Sequence, residues 1–334
     1  MASVSTETTW DEAVKEYLLH VQATRAQKTV RFYDVQLRQL LLWTDESRIR
    51  FGEFGKRHLD RYLVFRQQGG KSLTTVKHDA VAAKAFFRWC SRNDILDRSP
   101  LAEYKVMNTP EPARYMPSEE EVLNLLQAVR DHWNLIKNPA MRFYPITKRI
   151  FHRDRAYAIL LGLLDSACRI GEMLNLKVGD VQHSDRQILI REAKGKRPRT
   201  LPVSEEWLDA LDEWLKIRKR LMSDVSAGED EGWLFVSEYG GRIGEGIFFK
   251  STKRIIRWAK LSDEITLHGL RRFSLNRLAK HNLLAAQQIA GHRETKTTLM
   301  YTKLDADFIR DMHAEVGIVK GIVMGKKERR KKLI

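Results

Sequence analysis

The chain has 334 residues, enough for two domains with cores of their own, and its 43% hydrophobic content excludes an intrinsically disordered chain. Its 59 Lys and Arg against 43 Asp and Glu give a formal charge of +16, which points to a polyanionic partner without separating DNA from RNA or an acidic membrane. Two cysteines, Cys90 and Cys168, each read as lying inside an apolar helical pattern; this excludes a disulfide framework and a thiolate metal site and indicates a reducing compartment.

Residues 9–105 carry four helical patterns, the first beginning near Trp10. Segment 29–44 places Val30, Tyr33, Leu37, Leu40 and Leu41 at helical spacing, and segment 72–91 sets Val76, Ala80, Ala83 and Phe87 on one stripe. Both stripes predict core. The other side of the later helix carries Lys77, Lys84 and Arg88, a basic face suited to a nucleic acid. Residues 107–117, MNTPEPARYMP, hold three prolines and no apolar periodicity, which predicts an extended linker and a domain boundary. Ser118 then fits a helix N-cap, with Glu121 at the reciprocal capping-box position. Residues 131–153 are basic, aromatic and less regular, and predict a long loop.

Beyond that loop a helix is expected over 155–176. Ile188-Leu189-Ile190-Arg191 and Thr200-Leu201-Pro202-Val203 predict two strands around a basic turn, Lys194-Gly195-Lys196-Arg197, which Arg199 crowds further. Residues 233–237 predict a short strand, and the remainder reads as helical, with no internal repeat. Near the end, Ile309, Met312, Val316, Val319 and Val323 recur at helical spacing, a stripe expected to pack on a neighbouring subunit. The segment GKKERRKKL that follows adds nonspecific attraction to a polyanion. No apolar run approaches the roughly 18 residues of a membrane span, and the start MASVSTETTWDEAV lacks a basic-then-apolar signal region, so a cytoplasmic protein is expected.

Three short motifs carry the chemistry: Cys168-Arg169-Ile170-Gly171-Glu172, His268-Gly269-Leu270-Arg271, and Gly291-His292 with Tyr301 nine positions after the histidine. In this order and spacing they resemble the tyrosine recombinase family of phage integrases and Xer-type resolvases. The resemblance extends to the first domain, where SLTTVKHDAVAAKAFFRWCSRNDILDRSPL is similar to the closing helix of the family's core-binding domain. The fold it implies is mainly α with a small β-sheet: a helical, SAM-like core-binding domain over 1–106, a linker over 107–117, an α+β catalytic domain over 118–310, and a packing segment with a basic tail over 311–334.

Breaking a phosphodiester without metal requires fixed cations on the non-bridging oxygens, and Arg169 and Arg271 supply two planar, permanently charged forks. Tyr301 is the natural nucleophile; a phenol of pKa about 10 needs nearby cations or a base to ionise. The resemblance assigns the remaining roles. Lys194, eight residues before Pro202, donates the proton to the leaving oxygen, with Lys196 or a purely electrostatic hairpin as the other possibility. His268 helps deprotonate Tyr301 or binds the phosphate, and on a helix it projects from the same face as Arg271. His292 donates a hydrogen bond to the phosphate. Glu172, three residues after Arg169 on the same helix, orients the site. Lys77, Lys84, Arg88, Lys196 and Arg197 are the expected DNA contacts.

The implied activity is site-specific recombination through a 3′-phosphotyrosine, for a mobile genetic element or, alternatively, as a chromosome or plasmid resolvase. A type IB topoisomerase and a catalytically silent DNA-binding regulator are the readings from other classes. The implied partners are double-stranded DNA with inverted-repeat core sites, a homotetramer in the synapse and accessory DNA-bending factors, on the nucleoid. No metal or cofactor is expected, since the exchange conserves bond energy.

Overall fold

Thr9 opens the first helix with a reciprocal cap: its hydroxyl accepts from the Glu12 backbone N–H at 3.4 Å, and the Glu12 carboxylate accepts from Thr9 N at 2.9 Å. The computed structural model describes residues 8–108, 115–191, 198–224 and 230–290, and the chain divides into two compact units, Met1–Pro112 and Ala113–Ile334. In the first, α1 (Trp10–Thr24), α2 (Gln27–Glu46), α3 (Lys56–Gln68) and α4 (Leu73–Arg92) surround one core. Leu37, Leu40, Val76, Ala80, Ala83 and Phe87 from the predicted stripes are buried there, each 2% exposed or less. Trp10 anchors one end: its ring lies edge-on to Phe51 and Phe54 at 5.2 Å, and its indole N–H reaches the Ile49 carbonyl at 2.9 Å.

Of the basic face on α4, Arg88 is exposed, Lys77 is half-buried, and Lys84 is turned inward enough for its ammonium to donate to the Tyr104 carbonyl at 2.6 Å. Part of the Lys84 donor capacity is therefore used within this unit.

The second unit is mainly α with a small sheet. Ser118 and Glu121 cap α5 (Glu119–His132) through Glu121 N to Ser118 Oγ at 3.2 Å and Ser118 N to the Glu121 carboxylate at 2.8 Å. A 3-10 turn over Pro139–Phe143 follows, and α6 (Ile146–Ser166) begins earlier than the sequence suggested. The long loop expected over 131–153 is thus reduced to 133–145, because Phe151, Arg155 and Ile159 face the core from one continuous helix.

The helix expected over 155–176 is corrected too. It stops at Ser166, Ala167 takes the left-handed conformation (φ 48°), and a separate short helix, α7 (Ile170–Leu174), follows. Cys168 consequently lies in the break rather than inside a helix.

Strands β1 (Val181–Gln182), β2 (Gln187–Ile190) and β3 (Arg199–Pro202) form an antiparallel sheet in that order, with Ile188 opposite Leu201 and Ile190 opposite Arg199. Next comes α8 (Glu205–Asp224), whose Trp207 and Trp214 are fully buried. The apolar stretch 233–237 is not the strand the sequence suggested; it makes two isolated bridges, Lys177 to Trp233 and Val236 to Arg242. Side chains occupy its carbonyls instead. Arg218 Nε donates to Trp233 O at 2.7 Å, Trp214 Nε1 to Leu234 O at 2.9 Å, and Arg155 Nη1 to Val236 O at 2.7 Å. The described chain ends with α9 (Glu245–Trp258), α10 (Leu267–His281) and α11 (Leu283–Ala290). No helix among the described residues is long and apolar enough to cross a membrane.

Candidate active site

The break after α6 is built by short-range hydrogen bonds. Ser166 Oγ donates to Gly162 O at 2.7 Å and accepts from Cys168 N at 3.3 Å, while the left-handed turn at Ala167 redirects the chain at a cost of about 1–2 kcal/mol for a residue with a Cβ. Arg169 therefore leaves the helix axis and becomes the N-cap of α7, not a residue inside a helix as its spacing suggested. Glu172 sits three residues on, with its side chain 7% exposed. Its carboxylate accepts from Arg169 N at 2.9 Å and from Arg169 Nη1 at 3.1 Å. The rest of the Arg169 side chain faces outward, 42% exposed.

A third residue closes this cluster from the sheet. Arg199, in β3, sends Nη1 and Nη2 to the two oxygens of Glu172 at 3.2 and 2.9 Å. Burial by itself raises the Glu172 carboxyl; the Arg199 hydrogen bonds, the Arg169 backbone N–H and the two positive charges outweigh it, and the net shift is downward. Glu172 is therefore an anion at neutral pH. Sequence reading placed Arg199 only among the basic residues of the turn. Its alternation with the buried Leu201 was the available signal that it points inward.

Helix α10 carries the second motif. Thr266 caps it, accepting from Gly269 N at 2.9 Å, which puts His268 in the first turn, exposed between the buried Leu267 and Gly269. Arg271, one turn further, is 1% exposed. Its Nη1 donates to Ala167 O at 2.5 Å and its Nη2 to Ala290 O at 3.0 Å. The first carbonyl lies two residues before Arg169 and the second at the end of α11, so one guanidinium ties α10 to the turn that carries the first motif and to α11. Sharing a helix does not give the two residues equal exposure: His268 faces outward while Arg271 is buried.

Cys168 beside Arg169 is fully buried, and burial pushes its thiol up to about 11, so it is protonated at neutral pH and unsuited to be a nucleophile. Lys194, Lys196, Arg197, His292 and Tyr301 lie outside the described residues, as do Ile309, Met312, Val316, Val319 and Val323. Lys77, Lys84 and Arg88 belong to the other unit.

The model of the phage integrase family matches residues 134–307, just over half of the chain, and that of the phage integrase N-terminal SAM-like domain matches 14–94. The chain belongs to the phage integrase family. Tyrosine recombinase XerC of Corynebacterium efficiens is 27% identical over 296 residues, covering 87% of this chain and 85% of the relative. Tyrosine recombinase XerD of Pseudomonas aeruginosa is 25% identical over 295 residues, covering 86% and 91%. Among solved structures, the XerH site-specific recombinase in a post-cleavage complex with palindromic difH substrate superposes with a TM-score of 0.67 at 19% identity, over 92% of this chain and 84% of that one. The Tn1549 transposon integrase in complex with circular intermediate DNA gives 0.65 at 16% identity, over 92% and 99%. These two structural likenesses speak for the fold. This member of the phage integrase family is a tyrosine recombinase, an enzyme that cleaves and rejoins DNA.

Proposed function

We propose that this recombinase acts site-specifically through Tyr301, with Arg169 and Arg271 holding the scissile phosphate. The observation that carries the reading is the Arg169 turn: an outward-facing guanidinium backed by a buried, ionised Glu172 that neutralises part of its charge and fixes its base. In the step proposed, Tyr301 Oη attacks phosphorus and the bond to the 5′ oxygen breaks. The phenol proton passes to His268, and Lys194 gives a proton to the leaving oxygen. The products are a 3′-phosphotyrosine and a free 5′ hydroxyl, and attack by the hydroxyl of a second duplex reverses the step on a new partner. His292 donates to the phosphate, and Glu172 orients Arg169.

The substrate proposed is duplex DNA with inverted-repeat core sites, bound by four copies in the synapse with DNA-bending accessory factors, in the cytoplasm on the nucleoid. Lys77, Lys84, Arg88, Lys196 and Arg197 contact the duplex. Service to a mobile genetic element is supported by the basic segment near the end, since the irregular stretch after α5 is shorter than its sequence suggested. A resolvase role is the second reading, favoured by relatives named XerC and XerD that are covered over 85% and 91% of their lengths. Inverted repeats in the DNA flanking the gene, recombined by the purified protein between two duplexes, distinguish the first. For the chemistry, Tyr301→Phe is expected to abolish covalent capture of a nicked site while leaving duplex affinity within a few-fold, because binding rests on phosphate neutralisation. An adduct on a denaturing gel with the phenylalanine variant would exclude Tyr301 as nucleophile.

A further inference from the structure

Arg199 begins β3 on the same pleat face as Leu201, which is 1% exposed, so the strand period of two drives the arginine inward. Its side chain is 15% exposed, both Nη atoms end on Glu172, and its buried Nε–H has no hydrogen-bond partner among the described residues. A buried ion pair of this kind adds little net stability over an apolar pair of similar volume, since desolvation offsets most of the Coulomb attraction. What the pair does supply is orientation. The planar fork meets both carboxylate oxygens, which locks the Glu172 rotamer, and the locked carboxylate holds Arg169 by its backbone N–H and by Nη1. Among the described residues, Glu172 is the one hydrogen-bond partner of the outward-facing Arg169 side chain.

Resting on the reading of Arg169 as a phosphate clamp, we infer that Arg199 is a positioning residue for DNA cleavage. It holds the Glu172 carboxylate, and through it the Arg169 guanidinium, in the orientation that meets the scissile phosphate, without touching DNA itself. A displacement of Arg169 by about 1 Å is enough to lower the rate on the order of 100-fold.

The test uses the full chain, a nicked duplex that traps the covalent adduct, and the same duplex with a methylphosphonate at the scissile position. That group lacks the anionic oxygen whose charge the clamp balances. Arg199→Ala is expected to lose about 100-fold in adduct formation on the phosphate, to bind duplex within a few-fold of the parent, and to return to within a few-fold of the parent on the methylphosphonate. Arg169→Ala should follow the same pattern. The double variant Arg199→Ala/Glu172→Gln should be no slower than the slower single variant. Should alanine compromise folding, as judged by melting temperature, Arg199→Lys keeps a cation but loses the fork and is expected to show the same pattern with a smaller loss. Rescue of Arg169→Ala without rescue of the Arg199 variants would overturn the inference and leave the clamp intact; failure to rescue either would overturn the clamp and the inference together. Additive losses in the double variant would mean that Arg199 meets DNA directly, which would also overturn it.

Discussion

Glu172→Ala removes the acceptor of four hydrogen bonds, two from Arg169 and two from Arg199. The two arginines contribute unequally to the cost. Arg169, at 42% exposure, recovers most of its loss from water, whereas Arg199, at 15%, keeps a buried charge whose Nη atoms have lost their acceptor. Removing one partner of a buried pair costs about 3–5 kcal/mol, and the partial exposure here places the loss near the lower end, about 3 kcal/mol. In a unit of this size that lowers the melting temperature by roughly 6–12 °C. Calorimetry of the full chain reads the shift directly. Acid titration supplies a second reading with a definite sign. The folded Glu172 carboxyl lies below its ordinary 4.5: burial opposes this, and the Arg199 and Arg169 contacts more than offset it. Its contribution is thus fully present above pH 4.5 and is lost as pH falls through the lowered folded value, so the gap between parent and variant should narrow below 4.5. A destabilisation under about 1 kcal/mol at neutral pH, or a gap that widens in acid, would refute the claim that Glu172 binds this cluster together.

Gly162→Ala should destabilise the second unit by about 1–3 kcal/mol in urea denaturation, because the added Cβ would lie 2.8 Å from Met173 Cε and against the Trp207 indole that donates to Ala158 O; an unchanged midpoint would contradict this packing. His132, through burial and then the Arg254 charge, and His152, through burial and then the Arg155 charge, are each pushed down from 6.5 to about 4. Because the unfolded chain takes up protons that the folded one refuses, stability should fall as pH drops from 6.5 towards 4, and the slope should flatten in a His132→Gln/His152→Gln variant. Lys194→Ala should lose most cleavage on ordinary DNA but regain it when the bridging 5′ oxygen is replaced by sulfur, a leaving group that needs no proton; Arg169→Ala should gain nothing from sulfur, and equal failure of both would refute Lys194 as donor and point to Lys196 or a purely electrostatic hairpin.

Local signals were enough for much of this protein. Hydroxyl and acid at the right spacing set the caps at Thr9 and Ser118, the stripe through Val76, Ala80, Ala83 and Phe87 marked a buried helix face, and alternation around the basic turn marked β2 and β3. The motifs around Arg169, Arg271 and Tyr301 named the family because spacing along the chain is itself the signature. Tertiary structure decided what depends on partners distant in sequence. Residues 155–176 carry a continuous apolar period, yet the helix breaks at Ala167, whose carbonyl is held by Arg271 from a helix about 100 residues later. Residues 233–237 have strand composition, but Trp214, Arg155 and Arg218 take their carbonyls, leaving isolated bridges in place of a ladder. Arg199 looked like one more charge on a basic turn, and only the approach of β3 to α7 gave it Glu172 as a partner. A sequence window records the period of its side chains, while the choice between a backbone partner and a side-chain partner for each polar group is made when remote segments meet and exclude water.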